Sequence, residues 1–135
     1  MCIRDRIPAE FHKKLICISR EVIEEKRVHE KIPQIDMELP IYISIDKDVL
    51  DRSSARTNWD QGEMPFPLLE KLLLEVFEHQ QVIGADICGE CSLLEPFREL
   101  MADEEINKIT NDRLYHFLND CLRTSRNFST GFEKT

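Results

Sequence analysis

Apolar and polar positions alternate between two periods along this chain. Leu15-Ile16-Cys17-Ile18 is a short apolar run of the kind that forms a buried strand. Arg20 to Lys31 is charge-rich and helix-prone, with Val22 and Ile23 as its inward contacts. A continuous helix from Pro8 to Glu30 competes with that strand-and-helix assignment. Pro33 and Pro40 bracket a connecting loop and stop any helix from running on. Ile41-Tyr42-Ile43-Ser44-Ile45 then reads as a second buried strand, which enters a polar segment at Asp46. After a polar loop from Arg52 to Met64, Pro65 and Pro67 lead into a helix. Its apolar face is Leu68, Leu69, Leu72, Leu73, Val76 and Phe77, with Glu70, Lys71, Glu75 and Glu78 on the solvated side. His79 falls at the helix C-terminus, where a cation complements the dipole. Gln81 to Ile87 is a third strand, in which Gly84 predicts close backbone packing. Ala102 to Arg123 has helical spacing, with Ile106, Ile109, Leu114, Phe117, Leu118 and Cys121 facing inward. Thr110 and Asn111 favour caps and mark a place where that helix could break.

The chemistry concentrates where the Ile41–Ile45 strand ends. Asp46, Asp48 and Asp51 follow it within six residues. If the extended conformation persists, Asp46 and Asp48 project to one face and Lys47 turns aside. Two carboxylates on one face repel each other, and a bound divalent metal relieves that repulsion. An all-oxygen donor set predicts magnesium, manganese or calcium rather than a thiolate metal. An EF-hand loop does not fit, because Leu50 stands at its fifth position and Asp51 at its sixth, where a glycine belongs. Asp-x-Asp after a strand also occurs in haloacid-dehalogenase-type phosphatases, where the pair would serve as nucleophile and acid/base. That motif normally opens its domain and has a Gly-Thr context, which Val49-Leu50-Asp51 lacks.

Ser44-Ile45-Asp46-Lys47-Asp48-Val49-Leu50-Asp51 closely resembles the Ser-x-Asp-x-Asp-x-x-Asp signature of the arginase and agmatinase (ureohydrolase) superfamily. Val82-Ile83-Gly84-Ala85-Asp86-Ile87, followed by Glu90, resembles the second strand motif of the same superfamily, in the right order and one helix downstream. The likeness covers about residues 14 to 92. It implies an α/β fold, here part of a three-layer α/β/α arrangement with a mainly parallel sheet. It also implies a binuclear manganese site in the parent protein, with Asp46 as bridging carboxylate and Asp48 as ligand to one metal. Asp51 and Asp86 would brace the site. Glu90 would meet a cationic guanidino or amidino substrate, and Arg56 and Trp59 on the polar loop would contribute to the substrate wall. The implied reaction is hydrolysis of a non-peptide carbon–nitrogen bond by a metal-activated hydroxide.

Two departures from the pattern imply a divergent branch. Arg52 replaces the proline that usually follows the last aspartate, and Glu90 lies one residue late, after Cys88-Gly89. The superfamily's other ligands come from a Gly-x-x-His and an Asp-x-His-x-Asp motif. Neither is present, since His12, His29, His79 and His116 all stand in other contexts. A catalytically silent domain of the same fold, used for binding or assembly, is therefore the alternative.

The first six residues offer a reason for the missing motifs. Met1-Cys2-Ile3-Arg4-Asp5-Arg6 is what the codons ATG TGT ATA AGA GAC AGN encode, a string that matches the end of a sequencing-library adapter. On that reading residues 1–6 are a scar, 7–124 are the C-terminal portion of an arginase-like domain, and 125–135 are a flexible tail. Such a fragment would bind divalent metal weakly and would not catalyse.

Composition narrows the partners. The formal charge is −8, and setting aside Arg4, Asp5 and Arg6, which sum to +1, leaves −9. That balance argues against nucleic-acid or anionic-membrane binding. No apolar run approaches the 18 or so residues of a membrane span and no signal peptide is recognisable, so a cytoplasmic location is expected. A small-molecule substrate is the expected partner, and a homo-oligomer is compatible with the sequence. Of the five cysteines, Cys88 and Cys91 form a Cys-x-x-Cys pair, formally a redox or half-zinc motif, for which reduced thiols are the simpler account.

Overall fold

A computed structural model describes residues 8–10, 18, 22–23, 38–58, 60–89 and 97–129, with the side chains of 97–100 and 125–129 left aside. The strand and helix expected over residues 15–31 lie outside the described residues. The chain divides into two units, Met1–Glu38 and Leu39–Thr135, of which the second holds the parallel sheet.

Its order is β1 (Ile41–Asp46), a single 3₁₀ turn (Lys47–Val49), α1 (Phe66–His79), β2 (Val82–Cys88) and α2 (Phe97–Ser129). β1 and β2 pair in parallel, with Ile43 opposite Ala85, Ser44 opposite Asp86, Ile45 opposite Ile87 and Asp46 opposite Cys88. Parallel neighbours require a crossover, and the loop plus α1 supply it. The unit is thus mixed α/β, built on a two-stranded parallel sheet.

Strand alternation sorts this sheet into unlike faces. Ile43, Ile45, Ala85 and Ile87 face the helices and join a core made of Leu50, Ala55, Phe66, Leu69, Leu73, Leu114 and Leu118. Leu50 and Leu114 are completely buried, each contributing about 1.5–3 kcal/mol of transfer free energy. The opposite face carries Tyr42, Ser44, Asp46, Asp86 and Cys88, all exposed. The Tyr42 ring lies over Gly84, where a Cβ would come within 2.8 Å of Tyr42 Cε2, so the close packing expected at that glycine is present.

α1 takes the expected face, with Leu69 and Leu73 buried and Leu68, Leu72, Val76 and Phe77 half-buried. Pro65 precedes it without a side-chain cap, and His79 closes its last turn, donating from Nδ1 to the Glu75 carbonyl at 2.8 Å. Arg113 of α2 lies 4.1 Å above the Phe66 ring and pairs with Glu70 at 2.8 Å, tying the helices together on their wet side.

α2 is longer than the expected 102–123, running from Phe97 to Ser129 and so through the first residues of the expected flexible tail, and it differs in two further respects. It is continuous through Thr110 and Asn111, and Ile109 points outward, 59% exposed. Both differences have one cause. The inward stripe is Asp103, Asn107, Thr110, Asn111, Leu114 and Leu118, at steps of three and four residues, and Ile109 lies about 200° from Asn107. Asn107 and Thr110 are as buried as the leucines, at 3% and 5% exposure. Their side chains bond to other segments rather than capping their own helix. No helix among the described residues is long and apolar enough to cross a membrane.

Candidate functional site at the end of the parallel sheet

The carboxyl ends of β1 and β2 carry the charged groups, and in parallel α/β sheets this is the edge at which ligands bind. Extended structure stops at Asp46, so Asp46 and Asp48 are not the same-face pair of one strand that simple alternation predicts. Asp46 instead caps the 3₁₀ turn, its Oδ1 accepting from the Asp48 backbone N–H at 3.1 Å. The cap places Asp46 on the exposed face and leaves Asp48 half-buried. Asp48 Oδ1 is buried without a hydrogen-bond partner, a costly state for an anionic oxygen.

The turn is held from several sides. Leu50 N–H donates to the Lys47 carbonyl at 3.0 Å, Gly62 N–H to the Asp48 carbonyl at 2.7 Å and Met64 N–H to the Val49 carbonyl at 3.0 Å. Gly62 is required there because a Cβ would collide with the Val49 carbonyl and lie 2.6 Å from the Asp48 oxygen. Gly89, with φ +85°, presses its backbone onto the other side. A Cβ on it would fall 2.7 Å from Asp46 Oδ1 and 2.9 Å from the Lys47 nitrogen.

The remaining expected site residues separate into distinct roles. Asp86 Oδ1 accepts from Ser44 Oγ at 2.8 Å, a cross-strand bond that orients the serine of the Ser-x-Asp motif. Asp51 Oδ1 accepts from Ser53 N–H at 3.1 Å, Ser53 Oγ at 2.7 Å and Ser54 N–H at 2.9 Å. The Ser53 hydroxyl is the chief reason its carboxyl titrates below the ordinary range, and partial burial opposes the shift. Asp51 therefore braces the loop that follows it. Arg56 belongs to the same loop, and its Nε lies 3.2 Å from Asp103 on α2. Trp59 and Glu90 lie outside the described residues.

Cys88 adds a group at this edge. Its thiol donates to the Ile45 carbonyl at 3.5 Å and is raised in pKa, first by desolvation of the sulfur and then by the charges of Asp46, Asp86 and Asp48, with Lys47 opposing. A thiol held protonated in this way is a poor nucleophile. Cys91, its Cys-x-x-Cys partner in sequence, lies outside the described residues.

Sequence reasoning missed the support that α2 provides. The Asn107 side-chain amide grips Arg56 at both backbone atoms, accepting its N–H at 2.9 Å and donating to its carbonyl at 2.8 Å. Thr110 Oγ1 donates to the Ser54 carbonyl. Lys47, completely buried, sends its ammonium to Asn111 Oδ1 at 2.9 Å. The signal was present as polar residues on the helical stripe that continues into Leu114 and Leu118.

A second acidic place lies on α1, where one ligand atom each from Glu75, Glu78 and His79 falls within a 4.8 Å group. Among the described residues, Asp46, Asp48 and Asp86 do not form such a group of three.

No protein-family model matches this chain. No solved structure matches it either. An uncharacterized protein of Thermotoga maritima is 34% identical over 117 residues, a match that covers 78% of this chain and 45% of that protein. The chain thus spans less than half the length of the curated relative it matches.

Proposed function

We propose that the sheet edge carrying Asp46 and Asp48 is part of a divalent-cation site in a hydrolase of the ureohydrolase kind, acting on a carbon–nitrogen bond of a guanidino or amidino compound. The observation that carries this reading is Asp48 Oδ1, an anionic oxygen buried without a partner, one residue removed from a second carboxylate. A hard cation satisfies such an oxygen, and an oxygen-only donor pair suits manganese, magnesium or calcium. Asp48 and the free oxygen of Asp46 would hold the ion. In the parent protein the site would be binuclear, with manganese the expected metal. Bound divalent metal of this kind supplies a nucleophile at neutral pH by lowering the pKa of water. Asp86 and Ser44 orient the strand ends beside the site, and Asp51 braces the loop that would wall off the substrate. The three-layer arginase-like arrangement, a cytoplasmic location and a small-molecule partner belong to the same proposal.

Two carboxylates are too few for tight binding or turnover, so the 135-residue chain is expected to bind Mn2+ weakly and to release no urea or ammonia. Titration followed by the electron paramagnetic resonance signal of free Mn2+ tests this. Asp48→Ala is expected to abolish the uptake and Glu78→Gln on α1 to leave it intact; the reverse pattern would move the site to α1. The longer Thermotoga protein provides the companion assay, metal stoichiometry and urea release from a panel of guanidino compounds. A silent binding domain is favoured by one observation, the use of Asp46 Oδ1 and Asp51 Oδ1 as turn caps. Failure of the longer protein to take up metal would select it.

A further inference from the structure

Two polar residues of the α2 stripe, Asp103 and Asn107, converge on Arg56. Asn107 holds both of its main-chain atoms, at 2.9 and 2.8 Å, so the place of the residue is fixed independently of its side chain. Asp103, one turn earlier on the same stripe, lies 3.2 Å from Nε. That contact is an ion pair without the alignment of a hydrogen bond, because Nε is buried with no hydrogen-bond acceptor. Nη1 is likewise buried with no acceptor among the described residues. A guanidinium is a rigid planar fork of N–H donors, and a buried donor left unanswered costs about 1–3 kcal/mol, more when the group is charged. The next residue adds another such group, since Thr57 Oγ1 is buried without a partner.

Seating the loop does not require this cation. The Asn107 clasp and the bond from Thr110 Oγ1 to the Ser54 carbonyl act through the main chain, and a neutral side chain at position 56 would leave both in place. The guanidinium is thus braced by Asp103 at Nε while its Nη1 donors remain unanswered. The side chain as a whole is 23% exposed, which leaves it within reach of small solutes. A planar fork matches a carboxylate through two parallel N–H···O bonds. The chain's charge of −8, with the Asp103 carboxylate beside the fork, selects a monoanion over a dianion.

We propose that Arg56 is a receptor for the carboxylate of a small organic acid. Asp103 aims the guanidinium, Asn107 fixes its main chain, and the Nη1 end of the fork donates to the ligand. The site needs no metal at Asp46 and Asp48, so it stands or falls separately from the cation reading.

The test is a nuclear magnetic resonance titration of the isotope-labelled 135-residue chain, following the Arg56 Nε–H signal at mildly acid pH with sodium acetate, sodium chloride and sodium sulfate at matched ionic strength. Acetate is expected to move the signal to saturation, chloride to leave it in place, and sulfate to bind about tenfold more weakly than acetate. Arg56→Lys keeps a cation and the main-chain clasp but not the fork, and with its fold checked by circular dichroism it is expected to bind acetate about tenfold more weakly, read from backbone amide signals. Triple-resonance assignment identifies the Arg56 signal without any variant, so the wild-type titration decides the question even if Arg56→Lys fails to fold. The absence of a saturable acetate shift, or an equal shift with chloride, would overturn the proposal and leave Arg56 as a brace of the loop. Undiminished acetate binding by folded Arg56→Lys would also overturn it, by placing the anion elsewhere. Tighter binding of sulfate than of acetate would overturn the carboxylate assignment.

Discussion

Among the described residues two acidic places differ in what holds them. On α1, Glu75, Glu78 and His79 meet because helical residues three and four apart are neighbours. Any surface helix with that spacing makes the same cluster, and here Glu78 and His79 are exposed. At the sheet edge fewer ligand atoms come together, but each is held in place. Asp46 is locked as a cap, the Asp48 backbone is tied to Gly62, and Lys47 is anchored on α2. Proximity of carboxylates is cheap on a helix, whereas a desolvated oxygen on a braced turn requires the rest of the fold. For the same reason the sheet edge, although it gathers fewer ligand atoms, is the place we propose for the cation.

The largest effect that would break this contrast is Gly62→Ala. A methyl group there overlaps the Val49 carbonyl, so the loop must shift or the turn must open. The expected loss is about 3 kcal/mol, at the upper end for overpacking, read from urea unfolding. An unchanged midpoint would show that the turn is no more rigidly braced than the α1 surface, where Glu78→Gln should stay within about 0.5 kcal/mol of wild type. Next comes Asn107→Ala, which leaves the Arg56 N–H and carbonyl without their partner and should cost about 2 kcal/mol. A cost below about 0.5 kcal/mol would mean that water replaces the clasp and the loop is not held by α2.

The smallest effect concerns pH. The Asp51 carboxyl is depressed in the folded chain, chiefly by the Ser53 hydroxyl. Its contribution is therefore fully present above the unfolded value of about 3.9 and is lost as pH falls through the lower folded value. Asp51→Asn should remove that contribution, lowering stability modestly at pH 7 and flattening the profile below about pH 4, where the two chains converge. An unaltered acid limb would remove Asp51 from the brace.

Much of the architecture was legible because it is written in apolar spacing. The β-branched run of β1, the Leu69–Leu73 face of α1 and the Leu114–Leu118 stripe of α2 each declare a core-facing side, and the structure buries them. The location of the aspartates at a strand end was equally plain. Three features were not. Lys47 was expected to turn aside from the carboxylates, and nothing local says that it turns into the interior, because its partner Asn111 is 64 residues away. Asn107 and Thr110 look like solvated or capping residues until their partners Arg56 and Ser54, more than 50 residues upstream, are known. Ile109 looks like core for the same reason, since a rule that counts only apolar positions gives the inward stripe to the wrong side chain.

The Asn107 clasp has a consequence for how this site could change. The amide recognises only the main chain of residue 56, so this clasp asks nothing of the side chain there, which adds a separate ion pair of its own to Asp103 on α2. Position 56 can exchange its chemistry at the cost of the Asp103 pair while the main-chain clasp stays. A lineage built on this scaffold could therefore alter the side chain shown by this loop without first having to find a new main-chain anchor for it.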